Sequence, residues 1–250
     1  MPADVVSAYV GDLVTSVGAH AFLDKTSLSA IEIPDSVQSF GSSSFENCSA
    51  LTSICIPDGV QAIYGSTFKN CGSLISVRLP NSVIAMQPSV FYGCSSLSAI
   101  DIPSALLAIE DGVFAKCTSL SDLNIPAAVS SISPRAFSYC TTLTAFQISQ
   151  ENQNYQVQDG LLLSGQKLVC GINGAVAIPN STTKIGDYAF HGRSNLSSLS
   201  VHADVGMIGA YAFADCDIQR VYIDSISAWC AIGMANADSN PGYHADEIYM

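Results

Sequence analysis

Apolar residues recur along this chain with a period of 23 residues. Phe22, Phe45, Phe68, Phe91, Phe114 and Phe137 keep that spacing, and Phe190 and Phe213 resume it after one interruption. Three residues beyond the Phe stands Cys48, Cys71, Cys94, Cys117, Cys140 or Cys216, with Lys25 and Arg193 in the first and seventh units. Six beyond it comes Leu28, Leu51, Leu74, Leu97, Leu120, Leu143 or Leu196. An alternating pair follows, as in Ile31 and Ile33, Ile54 and Ile56, Val77 and Leu79, Ile100 and Ile102, Leu123 and Ile125. Period-two alternation predicts a short strand with two side chains facing inward. Pro34, Pro57, Pro80, Pro103, Pro126 and, after the interruption, Pro179 end these strands, because proline has no backbone donor to continue a ladder. A second inward series, Phe40, Ile63, Met86, Ile109, Ile132, Ile185 and Ile208, precedes each Phe and marks the return leg of a coil.

A single unit cannot bury all of these faces, so neighbours must stack as a solenoid with parallel strands about 4.8 Å apart. About nine coils are expected, making a body on the order of 45 Å long. The run Cys48-Ser49-Ala50-Leu51-Thr52-Ser53-Ile54-Cys55-Ile56-Pro57, with Ala21-Phe22 repeating ahead of it, resembles the BspA-like leucine-rich repeats of bacterial and some protist surface proteins. The resemblance covers nearly the whole chain. It implies an α/β leucine-rich-repeat solenoid with a parallel concave sheet, exported to the cell surface and associated with adhesion to host proteins or other cells. Residues 1–149 are expected to form an N-terminal array, 150–175 a β-hairpin-like island and 176–250 the C-terminal repeats and cap, all in one continuous solenoid.

The island follows from a break in the count. Phe137 and Phe190 are 53 residues apart, one period plus 30. Within the surplus, Tyr155–Gln158, Leu161–Leu163 and Lys167–Cys170 look like strands, punctuated by Asp159-Gly160 and Ser164-Gly165. Both dipeptides are tight-turn signals, which predicts a small antiparallel meander. It reads either as a degenerate repeat bridging two arrays or as a ligand-gripping insertion. An Asn152, Tyr155, Asp159, Gly160 pattern of this kind also occurs in members of the resembled family. At the end of the chain, Ser225–Ala235 reads as a short helix, Asn240-Pro241-Gly242 as a polar turn and Ile248-Tyr249 as a last strand, together an atypical capping coil. The apolar Tyr249-Met250 end leads to the expectation of a fragment, with more chain following.

Composition narrows the function classes. With 48% hydrophobic and 12% charged residues in 250, the chain can bury a long core and is too apolar for disorder. A net charge of −12, a pI near 4.4 and nine scattered Lys and Arg argue against a nucleic-acid partner, because phosphate binding needs clustered cations. No stretch approaches the ~20 apolar residues of a membrane span. Met1–Ala19 lacks a basic start followed by an apolar block, so the chain is intracellular or is numbered from beyond a removed signal. The resemblance favours an extracellular or cell-surface location.

The chemistry-bearing residues form no catalytic or metal pattern. Nine cysteines are many, yet Cys48 to Cys140 fall once per coil without close pairs or histidine partners, which fits small buried thiols and not a zinc site. Disulfides between coils would require Cα atoms within ~7 Å, so a reduced ladder is expected. His20, His191, His202 and His244 are far apart in sequence, and no HExxH, GxSxG or phosphate-binding loop occurs. Serines such as Ser49, Ser73 and Ser96 fit turn and cap roles. No cofactor is expected.

The outward strand positions remain as the candidate site. Glu32, Cys55, Arg78, Asp101, Asn124, Gln147 and Ser200 share one phase, with Ala30, Ser53, Ser76, Ala99, Asp122, Ala145 and Ser198 two residues earlier. The second column is nearly all small, leaving backbone open to a flat or extended partner. Glu32, Arg78, Asp101, Asp122, Asn124 and Gln147 are therefore the candidate ligand-binding residues. They also read as ordinary solvated positions, with Arg78 pairing to Asp101 one coil away. A non-catalytic module binding a protein partner, host extracellular matrix or another cell surface, is the leading function. A structural spacer or a carbohydrate-binding accessory region of a larger exported protein is the alternative, the latter disfavoured by the shortage of aromatics in these columns before Tyr222.

Overall fold

The computed structural model of the protein describes residues 5–250. Each repeat makes one turn with three sides. On the first, Ser53–Cys55 pairs in parallel with Ser76–Arg78, in the register Ser53↔Ser76, Ile54↔Val77, Cys55↔Arg78. Ile54 and Val77 are buried while the residues flanking them are exposed, as alternation demands. The carbonyl of the proline that follows accepts the N–H three residues on, Val60 to Pro57 and Val83 to Pro80, which closes a β-turn. The second side is a two-residue strand: Ser16–Val17, Ser39–Phe40, Ala62–Ile63 and Ala85–Met86 stack in parallel.

The third side is a tight double turn that carries the Phe and Cys. It uses a left-handed residue two positions after the Phe and, in every turn but that of Phe137, another two positions before it. Asp24, Asn47, Asn70, Gly93, Lys116, Tyr139, Gly192 and Asp215 fill the later position, all with φ between 53° and 73°. Asn, Asp and Gly tolerate this conformation readily, whereas Lys116 and Tyr139 adopt it at a cost. From Asp24 to Gly192 each N–H at this position donates to the next turn, as Asn47 to Lys69 and Asn70 to Tyr92 at 2.8 and 2.7 Å.

The core is a set of columns. The Phe rings stack face to face, with centroids 5.0 Å apart for Phe22 and Phe45, rising to 6.0 Å for Phe114 and Phe137. The Cys side chains lie beside them. The carbonyls of Phe45, Phe68, Phe91 and Phe114 each accept the Cys N–H of their own turn and the thiol of the next, as Phe45 does from Cys48 N–H and from Cys71 Sγ, both at 3.1 Å. The thiol thus satisfies a second lone pair that would otherwise be buried.

Strand positions on the first side define eleven turns where the repeat count led to nine. They are Ser7–Tyr9, Ala30–Glu32, Ser53–Cys55, Ser76–Arg78, residues 99–101 in phase but outside any strand, Asp122–Ile125, Ala145–Ile148, Ala175–Ala177, Ser198–Val201, Ile218–Ile223 and Ala245–Tyr249. Counting Phe and Cys misses turns that lack them, because a rung needs only an inward side chain and a backbone partner. The first side is parallel but laid down in segments. Three two-stranded pairs precede a four-stranded sheet formed by the last four strands.

The meander occurs where the count breaks. Gln156–Gln158, Leu161–Ser164 and Lys167–Cys170 are antiparallel, with Asp159 and Gly160 both at positive φ in the first turn, as a two-residue hairpin of the Asp-Gly type requires. Its last strand also pairs in parallel with Lys184–Ile185, so the meander is stitched into the second-side ladder. The terminal helix is shorter than expected: it spans Ile226–Ala231, capped by the Ser225 hydroxyl. Gly233–Met234 is instead recruited as a strand beside Met207–Ile208. The polar turn through Asn240 is a pair of short 3-10 turns, Ala237–Ser239 and Pro241–Tyr243.

Candidate functional site

All six outward residues singled out by the repeat phase are exposed: Glu32, Arg78, Asp101, Asp122, Asn124 and Gln147. Backbone register brings Asn124 beside Gln147 and places Arg78 beside Cys55. Arg78 does not pair with Asp101. Its guanidinium reaches back, 3.1 Å to Asp58 and 3.3 Å to the Cys55 sulfur, because Asp58 in the preceding Pro-turn projects over the same rung. Asp101 faces it across an open depression of about 560 Å³ that Asn81 and Ser82 also line. Asp122 accepts from the hydroxyl of its neighbour Ser121. The six residues are spread along the strand face and form no single cluster, and an exposed pair such as Arg78–Asp58 adds at most ~1 kcal/mol.

A denser constellation lies on the double-turn side, where the sequence reading placed nothing. Tyr139 N–H donates to His191 O at 3.1 Å, the bond that Lys116 N–H makes to Ser138 O one turn earlier. The turn bearing Phe137 therefore abuts the turn bearing Phe190, although 52 residues separate Tyr139 from His191. The junction gathers Ser89, Tyr92, Asp111, Gly112, Ala115, Arg135, Ser138, Tyr139 and His191 around a cavity of about 240 Å³. Arg135 makes a bidentate pair with Asp111, Nε to Oδ1 at 3.0 Å and Nη2 to Oδ2 at 2.6 Å. Lys116 Nζ lies over the rings of both Tyr92 and Tyr139, 5.5 and 5.4 Å from their centroids. His191 packs on Tyr139 and Tyr188, with centroids 4.6 and 5.2 Å away.

Ser138, His191 and Asp215 touch in the order of a nucleophile, base and acid, and the details argue against that role. Ser138 Oγ lies 3.0 Å from His191 Nδ1, and Asp215 is 3.7 Å from Nε2. The Asp215 carboxylate accepts the Tyr139 hydroxyl, which pushes that phenol up to about 12, with burial assisting. The backbone N–H groups of Ser138 and Tyr139 are taken by Arg135 O and His191 O, so neither is available to an oxyanion. Burial holds the His191 imidazole below its ordinary value, against the opposing pull of Asp215. Burial thus favours the neutral ring, which lines the site as an aromatic wall.

Behind the cavity, Arg193 occupies the column position that Cys holds elsewhere. Its side chain is buried, at 1% exposure, without a carboxylate partner among the described residues. Nη1 donates to Phe137 O and Cys140 O at 3.0 and 3.2 Å, Nε to Gly171 O at 3.2 Å, and Nη2 to the Cys170 sulfur at 3.3 Å. Asn173 adds bonds to Cys140 O and Leu143 O, both at 3.3 Å. These two side chains satisfy the carbonyls at the end of the first array. The sequence did carry a signal for this region: bulky Lys116, Tyr139, Tyr188 and Tyr211 occupy left-handed positions that Ser, Asn, Asp or Gly hold in most other turns. Such positions concentrate at ligand sites.

Among the described residues no group of three or more His, Cys, Asp or Glu could hold a metal ion, and no helix is long and apolar enough to cross a membrane. The nine cysteines are free thiols.

A family model for the BspA type leucine rich repeat region matches residues 15–154 and 170–230, in six copies. No curated protein matches the chain. Among solved structures, a leucine rich cell surface protein of Faecalibacterium prausnitzii superposes with a TM-score of 0.66 at 20% identity, over 92% of this chain and 91% of that one. The pneumococcal vaccine antigen PcpA does so at 0.71 and 21%, over 86% of this chain and 60% of that one. A leucine-rich repeat protein of Bacteroides ovatus gives 0.59 and 22%, over 98% and 71%. At these identities the likeness is one of fold.

Proposed function

The chain belongs to the BspA-type leucine-rich-repeat family, and from that premise we propose that it is a non-catalytic surface module that binds a protein partner through its first strand face. The observation that carries this reading is a set of exposed polar side chains spaced along one strand face, Glu32, Arg78, Asp101, Asp122, Asn124 and Gln147, among the small residues Ala30, Ser53, Ser76 and Ala99. Small neighbours let a broad partner approach the backbone, and the charged residues supply specificity over an area of the standard interface size, roughly 800 Å² on each side. The partner is a host extracellular-matrix protein or a protein of another cell. An extracellular or cell-surface location accords with the cell surface protein of F. prausnitzii that shares the fold.

The test is a binding screen of the purified chain against matrix proteins, beside a variant with Glu32, Arg78, Asp101 and Asp122 all changed to Ala. A matrix protein captured by the parent and lost by the variant is the expected result. Capture that the variant retains, or none at all, would sink the assignment to this face.

A further inference from the structure

The double-turn side offers a second, unrelated surface, and we propose that the cavity between Tyr92, Arg135, Tyr139 and His191 is a binding site for a neutral oligosaccharide. The inference does not rest on the strand-face reading, because the two sites share no residue.

Size comes first. At about 240 Å³ the cavity lies below the 300–1,000 Å³ range that holds drug-sized ligands, which matches one sugar ring and is too small for a folded protein surface or a helix. A second depression of about 400 Å³, lined by Asn70, Gly93, Lys116, Thr118 and Tyr139, shares Tyr139 with it. Two depressions that share one residue suit a chain of linked rings better than a single one.

Chemistry narrows the class. Aromatic ring faces are electron-rich and attract the polarised C–H groups on the flat side of a pyranose. Tyr92 supplies such a ring, one side of it shared with Lys116, while Tyr139, packed between Lys116 and Gly192, and His191 complete the aromatic lining. Paired hydroxyls of a sugar need planar groups that donate and accept side by side. The Arg135–Asp111 pair does this at the cavity edge, because both its members remain about half exposed while locked to one another. Arg135 Nη1 has no bond to another described residue, and the Ser89 and Ser138 hydroxyls add short-range partners.

Charge excludes the anionic sugars. Arg135 and Asp111 cancel, Lys116 is held over two tyrosine rings, and Asp215 stands against Tyr139 and His191. Two cations, Arg135 and Lys116, stand against two carboxylates, Asp111 and Asp215, so the site has no net positive charge to draw a sulfate or carboxylate, and the chain as a whole carries −12.

The site is also rigid. Tyr139 sits at φ 60° and Tyr188 at 56°, and a Cβ on Gly192 would come within 2.4 Å of the Tyr139 ring. Glycine at 192, itself at φ 70°, is what allows Tyr139 to lie flat against the next turn. A preorganised aromatic wall reduces the ordering cost of a weakly binding ligand.

The test uses the full chain on an array of neutral, sialylated and sulfated oligosaccharides, followed by calorimetric titration of the neutral compounds that bind. Tyr139→Gly and Arg135→Ala are the informative variants. Glycine adopts the backbone of position 139 without strain, and Arg135 is exposed, so both should keep the parent's circular dichroism and cooperative melting. Binding of a neutral oligosaccharide, weakened about tenfold or more by each variant and unchanged in the four-residue strand-face variant, is the expected result. The proposal is overturned if only sulfated or sialylated compounds bind, if no neutral oligosaccharide binds at roughly millimolar concentration, or if both variants keep the parent affinity.

Discussion

Between Phe22 and Cys140 every turn meets the same need in the same way, while the junction of the Phe137 and Phe190 turns meets it with different residues. In the regular stretch the Phe carbonyl takes a thiol from the next turn, 3.1 Å for Cys48, Cys71 and Cys94 and 3.2 Å for Cys117. At the junction the Phe137 carbonyl takes the Arg193 guanidinium instead. A thiol suffices where the two turns are consecutive in sequence and only one lone pair remains to be filled. Where the chain leaves for the meander, three carbonyls, Phe137, Cys140 and Gly171, are left facing inward, and a longer, forked donor is required. Column residues therefore report how turns stack, and an odd residue in a column reports where the stacking changes.

The contrast can be broken most severely at Arg193. Arg193→Ala would take a charged donor from three buried carbonyls, of which Cys140 O keeps a second side-chain donor in Asn173, and should lower stability by about 3–5 kcal/mol. Arg193→Cys, which puts the regular residue at that position, should recover part of this by reaching Phe137 O alone. Urea midpoints followed by circular dichroism rank the two; equal losses would show that the guanidinium fork is not what holds the junction.

A regular turn should suffer less. Cys94→Ala removes one buried thiol and one weak hydrogen bond, for a loss of about 1–2 kcal/mol. The same ladder should be chemically silent in the folded protein. Burial pushes the Cys94 and Cys140 thiols up to about 12, while Cys55 and Cys230 are exposed. Maleimide labelling at pH 8 with mass spectrometry should modify Cys55 and Cys230 and spare the column until the chain is unfolded. Rapid labelling at Cys94 in the native protein would mean that the turns open far more readily than their packing implies.

The smallest effect concerns His191, which exists only at the junction. Its folded pKa lies below the ordinary 6.5 because burial disfavours the charged ring. The unfolded chain therefore takes up the proton first as pH falls. This contribution to stability is full above about 6.5 and is lost as pH drops toward the folded value. Asp215→Asn removes the carboxylate that opposes the shift and should lower the His191 pKa further. An NMR titration of the ring reads the direction, and an upward movement in the variant would contradict the geometry.

Much of the fold was legible in the chain. The Phe column, the Leu column and Cys48 to Cys140 are buried, and the Asp159-Gly160 and Gly165 turns stand where the meander was expected. The turns without Phe or Cys were under-counted because end rungs are held by backbone pairing, which leaves little trace in side-chain spacing. The terminal helix was over-extended because Ile232 and Met234 fit either period over so short a run, and the open ladder beside Met207–Ile208 captured them as a strand. Arg78 was matched to the wrong acid because phase states which rung a residue occupies and not which rotamer it takes. For the aromatic cavity, the bulky residues at left-handed positions were visible as departures, but their company was not.

The 23-residue period by itself determined the coil, since burial of one side chain in two or three leaves a single way to wrap each unit and a single partner, the next unit, to stack on. Period loses its authority where the count breaks. Which turns abut across 30 surplus residues depends on whether the chain can loop them out and still satisfy the backbone groups on both sides. That balance is struck by Arg193, Asn173 and the Lys167–Cys170 strand acting together in space. The tertiary structure alone therefore set Tyr139 against His191 and, with them, created the cavity.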